Sequence, residues 1–129
     1  MLRFTPDVGK NRLVVEFDGR VSAAEFAQAE QALRQAVARL RVPYDVLSDV
    51  RKLESLESDP ATLARLATLV PPEDVRHFVR VVGRSTESAV NIARATKHLG
   101  FEVHLAFSRE EAETVFDASS WPPSSFPGR

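Results

Sequence analysis

The chain has no cysteine among its 129 residues, which excludes a disulfide framework, a thiol nucleophile and a thiolate metal site. Glycine is scarce at five residues, and none stands in a GxGxxG or GxxxxGK run, the patterns that let backbone approach a phosphate. Dinucleotide-binding and P-loop folds are therefore not expected. No apolar run approaches the roughly 20 residues that a membrane-spanning helix needs. The opening MLRFTPDVGK places acid and proline where a secretion signal would hold its apolar stretch. Neither sign of charge dominates, with 17 Lys and Arg against 18 Asp and Glu, and no basic block supplies a nucleic-acid footprint. His77, His98 and His104 lie far apart with no HxxxH spacing, so no metal site is expected. These absences lead to the expectation of a bacterial cytoplasmic protein without cofactor, metal, nucleic-acid partner or integral membrane segment.

What is present is the material of one domain. Hydrophobic residues make up 43% of the chain, enough for a core at this length. Residues 1–4 form a short apolar stretch, followed by breakers at positions 6–11. Leu13, Val15 and Phe17 then alternate with Val14, Glu16 and Asp18, the period of a half-buried strand, and the connection suggests a hairpin. Ser22-Ala23-Ala24-Glu25 is a capping box ahead of a helix whose apolar positions are Phe26, Ala29, Leu33, Ala36, Val37 and Leu40. Residues 44–50 read as the third strand. Asp59-Pro60 opens a second helix with Leu63, Leu66, Ala67 and Val70 on one face, and Pro71-Pro72 stops it. Residues 75–82 form a strand, Ala89, Ile92, Ala93, Thr96 and Leu99 a third helix, and residues 101–107 a last strand. A second capping box, Ser108-Arg109-Glu110-Glu111, starts a closing helix through about Asp117.

The order β-β-α-β-α-β-α-β-α implies an α/β domain with a mixed sheet of about five strands. Several strands alternate, with Glu16, Asp18, Arg76, Arg80, Glu102 and His104 on their second face. Helices are therefore expected mainly on one face, leaving the other partly wet. The domain is placed at residues 1–118. A Pro- and Ser-rich tail at 119–129 carries Trp121 and Phe126, for which the readings are docking on the wetter face or on a neighbouring subunit, or simple terminal disorder. A homodimer is compatible with this reading.

Two segments could carry function. The stretch YDVLSDVRKLESLESDPATL at 44–63 places an acidic, serine-bearing loop between a strand and a helix. Asp49, Leu53, Ser55, Glu57 and Asp59 are its candidate partner contacts. Gly83-Arg84-Ser85-Thr86 leads into a helix N-terminus, and Arg84, Ser85, Thr86 and Ser108 are candidates for an anion or ligand pocket. Such positions lie at the C-terminal ends of parallel strands, where α/β sheets bind ligands; capping is the commoner use of these residue types. Catalysis has less support. No GxSxG elbow occurs, and Asp49, Glu54, Glu57 and Asp59 more often solvate a loop or stabilise a helix start than perform acid–base work. A phospho-receiver needs an acidic pair after the first core strand and a lysine after the last. Here Asp18 is followed by Gly19, and Phe107 by Ser108. No enzyme is expected.

The element order, a third strand ending in aspartate at Asp49 and the closing FEVHLAFSREEAETVF together resemble the STAS superfamily, the anti-sigma-factor antagonists and their SpoIIAA-like relatives. The resemblance covers about residues 13 to 117. It implies a single STAS-type, SpoIIAA-like domain with a non-enzymatic regulatory or protein-interaction role, and an anti-sigma kinase-like or sensor protein as partner. The alternative is a small-molecule or lipid-binding SpoIIAA-like module. The family's Asp-Ser-(Ser/Thr)-Gly phosphorylation motif falls on Glu57, Ser58, Asp59 and Pro60, which makes Ser58 the implied phospho-acceptor. Pro60 stands where the motif has glycine, so backbone freedom and one donor are lost there. Glu57 and Asp59 would repel a phosphate on Ser58. In lacking the full motif the chain looks closer to the SpoIIAA-like branch.

Overall fold

A computed structural model describes residues 1–57, 60–83, 100 and 102–119. Its elements are β1 (Leu2–Asp7), β2 (Arg12–Val21), α1 (Ala23–Val37), β3 (Tyr44–Leu56), α2 (Pro60–Ala67), a 3-10 turn (Pro72–Asp74), β4 (Val75–Val81), β5 (Val103–Ala106) and α3 (Arg109–Ser119). The five strands form one sheet in sequence order. β1 and β2 are antiparallel, and every later pair is parallel. This is the mixed α/β sheet expected from the sequence. The third helix expected from Ala89, Ile92, Ala93, Thr96 and Leu99 lies outside the described residues, as do Trp121 and Phe126.

Register decides what each face holds. Leu13, Val15 and Phe17 of β2 share a face with Val46 and Val50 of β3, and α1 lays Phe26, Ala29, Leu33 and Ala36 on it. α2 adds Leu63 and Leu66, with Val70 just beyond it. On the other face Leu47, Val79, Val81 and Ala106 meet Ala112 and Phe116 of α3. β3 therefore has a helix over each side, which is why all of its residues 44–50 are buried. α3 covers only part of the second face, and that face keeps a charged remainder beside β1 and β2.

Local chemistry explains several joints. Pro6 is tolerated because β1 is an edge strand. Asn11 takes a left-handed φ of 52°, a conformation its short polar side chain tolerates. Its amide nitrogen donates to Arg41 O and Pro43 O at 2.8 and 2.9 Å, and its oxygen accepts from Arg41 N at 2.8 Å. One residue thus ties the first turn to the approach to β3. Ser22 caps α1 by accepting from Glu25 N at 3.1 Å. The reciprocal half of that capping box is not made: Glu25 instead accepts from Leu2 N at 2.5 Å, pinning β1 to the helix start. The second box places Ser108 Oγ against Glu111 N at 3.0 Å, while Glu111 reaches the amide of Phe107 at 3.4 Å.

Two expectations need correction. Arg80 does not lie on the wet face. It is 3% exposed and pairs across register with Ser48, on the side of the sheet that α1 and α2 cover. The residues of β4 beneath α3 are Val79 and Val81, so its buried parity on that side is opposite to that of β2.

The segment after Val50 is strand, where its polar sequence led to the expectation of a loop. β3 continues to Leu56 and β2 to Val21, paired Gly19↔Leu53, Arg20↔Ser55 and Val21↔Leu56. Register shifts fall between Glu16 and Asp18 and again between Gly19 and Arg20. Each inserts an extra residue on β3, a β-bulge that breaks the period of two. Gly19 takes a φ of +66° at the second bulge, where a side chain would be strained. The bulges turn Leu53 back into the core, 5% exposed.

Candidate functional site

The bulges also build a polar concavity. A bulge sends consecutive side chains toward the same side of a strand, and Arg51 and Lys52 both line a cleft of about 150 Å³ on the second face. Arg3, Glu16, Asp18 and Asp49 come from β1 to β3, and Arg109, the first residue of α3, closes the far wall.

Asp49 is the hub. Its Oδ1 accepts from Arg51 N at 3.1 Å and Arg51 Nε at 3.0 Å, and its Oδ2 from Arg51 Nη2 at 2.8 Å and Arg109 Nε at 2.9 Å. Arg109 Nη2 donates in turn to Glu16 Oε2 at 3.1 Å, and Glu16 Oε1 stands 3.9 Å from Arg3. Burial alone would raise the Asp49 carboxyl. The hydrogen bonds from Arg51 and Arg109 outweigh it and hold the group below its ordinary 3.8. Asp49 is accordingly an anchored anion with its oxygens filled, a poor base at neutral pH. The same contacts clamp the start of α3 to the centre of the sheet.

A second charged group lies lower on this face, near the end of α3. Arg12, 5% exposed, sits 3.9 Å over the Phe116 ring and donates to Glu113 at 2.5 Å. Burial tends to raise the Glu113 carboxyl, but the hydrogen bond from Arg12 brings it below its usual range. Arg76 grips the buried Asp45 with two bonds of 3.1 and 2.7 Å. Among the described residues no group of three or more His, Cys, Asp or Glu could hold a metal ion. No described helix is long and apolar enough to cross a membrane.

The predicted partner-contact residues separate in space. Asp49 lies mid-strand at 9% exposure within the arginine network, and Leu53 is core; neither is presented by a loop. Ser55 is exposed on the last part of β3, and Glu57 follows it, its amide donating to Val21 O at 2.8 Å. Ser58 and Asp59 lie outside the described residues. So do Arg84, Ser85 and Thr86 of the expected anion pocket; its fourth member, Ser108, caps α3 next to the arginine cleft. Sequence reading missed Arg51, Lys52 and Arg109. A usable signal was the shared parity of Arg12, Glu16 and Asp18, which marks a charged face needing opposite partners.

On the opposite face an apolar cavity of about 120 Å³ lies between the sheet and the α1 and α2 side, lined by Phe4, Val15, Leu66, Val70 and Phe78 among others, with Ser48 and Arg80 as its polar members. Burial pushes the Arg80 guanidinium down to about 10.

No protein-family model matches the sequence, and no curated protein matches it. Solved structures do match in fold. An uncharacterized protein of the DUF3478 family with a SpoIIAA-like fold, from Shewanella loihica PV-4, superposes with a TM-score of 0.63 at 16% identity, over 89% of this chain and 91% of that one. The anti-sigma factor antagonist SpoIIAA in its unphosphorylated form superposes with a TM-score of 0.56 at 9% identity, over 94% of this chain and 100% of that one. With its five-stranded mixed sheet and the helices on it, the chain has a SpoIIAA-like fold.

Proposed function

We propose that this chain is a non-enzymatic regulatory domain that binds a protein partner through the end of β3 and the start of α2. The observation that carries the reading is the bulged extension of β2 and β3 beyond the last β3–β4 pair, Asp49↔Val81. Leu53 is fixed in the core and Leu56 packs against it, while Glu54, Ser55 and Glu57 stay exposed. A strand-built surface binds with less ordering entropy than a loop would. The likeness to an anti-sigma factor antagonist supports a partner of the anti-sigma kinase or sensor type, and Ser58 is the proposed switch. The non-enzymatic reading is supported by the saturation of Asp49 and the pairing of Glu16 with arginines.

The test is a binding titration against a histidine-kinase-like anti-sigma factor, comparing wild type with Ser55→Lys and Glu57→Lys. Both variants should weaken the complex without altering the fold. No complex, or one indifferent to both substitutions, removes the reading. Mass spectrometry after kinase treatment tests Ser58 separately.

A second reading, a small-molecule or lipid module, draws support from the apolar cavity and its two polar members, Ser48 and Arg80. A thermal-shift series of acyl-chain carboxylates checks it, and a flat response would count against it.

A further inference from the structure

We infer that the cleft between β1–β3 and the start of α3 binds a small tetrahedral oxyanion, inorganic phosphate or a phosphate monoester. Its cations are held in place before any ligand arrives. Asp49 accepts from both Arg51 and Arg109, and Glu16 accepts from Arg109 and stands beside Arg3. The two carboxylates act as struts, and their charge is largely matched by the guanidiniums they position.

Donors remain. The Nη1 nitrogens of Arg51 and Arg109 make no hydrogen bond among the described residues, and the Lys52 ammonium makes neither a hydrogen bond nor an ion pair there. All three side chains line the same space. Four positive side chains and three negative ones surround it, the negative set including Asp18, so the cleft keeps a positive excess. α3 begins at Arg109 and directs the positive end of its dipole to this wall.

The arrangement favours phosphate over a planar carboxylate. Arg51 and Lys52 come from β3 and Arg109 from a helix, so donors approach from different directions, as three oxygens of a tetrahedral anion require. A carboxylate offers only two oxygens, both satisfied by one planar fork. The bulge in β3 is what adds Lys52 to this set, because regular alternation would turn it away from Arg51.

The experiment is a titration of the full chain, followed by amide chemical shifts, with inorganic phosphate and with methyl phosphate in separate arms. Ionic strength is held constant with chloride, which removes general screening from the readout. Lys52→Glu is the test variant, because the Lys52 side chain is exposed and holds no partner within the described fold. Saturable shifts at Arg51, Lys52 and Arg109 that become about tenfold weaker in the variant support the site, a change equal to about 1.4 kcal/mol. The tighter arm identifies whether the anion arrives free or as an ester. Unsaturable shifts in both arms, or equal affinity in wild type and Lys52→Glu, overturn it. The titration needs no protein partner, so its failure and the failure of the interaction reading remain distinct.

Discussion

The two faces of the sheet solve the same burial problem differently. One face, under α1 and α2, is closed by a broad apolar cluster running from Leu13 through Phe26 and Leu33 to Val70. The other has six buried core residues among those described, and its helix α3 is held by charge as well, with Arg109 on Asp49 and Glu16 at one end and Arg12 on Glu113 further along. Apolar packing tolerates much sequence variation if volume is kept. A charged clasp depends on particular atoms, and it leaves open the polar space beside it. The first face makes the fold; the second makes a place where binding can happen.

The largest effect expected from breaking this division is at Phe116. It is 2% exposed in the smaller core and carries the Arg12 guanidinium on its ring. Phe116→Ala should cost about 3–5 kcal/mol by denaturant unfolding, because few neighbours can collapse into the space. Asp49→Asn should come next. It leaves Arg51 and Arg109 without their shared anion and should cost about 1–3 kcal/mol at pH 7. The sign of its pH dependence is fixed: a carboxyl held lower in the folded state contributes stability above its unfolded value and loses it as pH falls through the folded value. The wild type should therefore lose this contribution below the ordinary 3.8, and Asp49→Asn should flatten that acid limb.

Tyr44 sharpens the view of the apolar face. Its hydroxyl is buried without a hydrogen-bond partner among the described residues, and burial, with Asp74 adding to it, pushes it up to about 12. An acid with a raised folded value loses stability as pH climbs from its unfolded value, here 10.0, towards 12. Tyr44→Phe should remove that alkaline loss and be neutral or slightly stabilising at pH 7, since it deletes an unpaired polar atom. The smallest effect on stability is expected for Lys52→Glu, within about 0.5 kcal/mol. The same substitution should weaken phosphate binding strongly, which separates folding from recognition on the charged face.

Much of the fold was legible because most elements follow a single period. Phe26, Ala29, Leu33 and Ala36 announce α1, and Leu13, Val15 and Phe17 announce β2. The second half of β3 was not legible. Val50, Leu53 and Leu56 are spaced by three, which fits neither a regular strand nor a long helix, and the intervening Arg51, Lys52, Glu54 and Ser55 imitate a polar loop. Only pairing with Gly19, Arg20 and Val21 shows that bulges absorb the misfit. The site was obscured for the same reason. Asp49 stood out in the sequence, but its partner Arg109 lies 60 residues away, and Arg109 looked like one position of a capping box.

Amide hydrogen exchange along β3 tests most directly whether the charged surface is strand rather than loop. Residues 51–56 should include protected amides at the alternate positions that face β2, whereas 46–48, with β2 on one side and β4 on the other, should be protected throughout. Exchange throughout 51–56 as fast as in the turn at 8–10 would contradict the paired extension and the binding surface built on it.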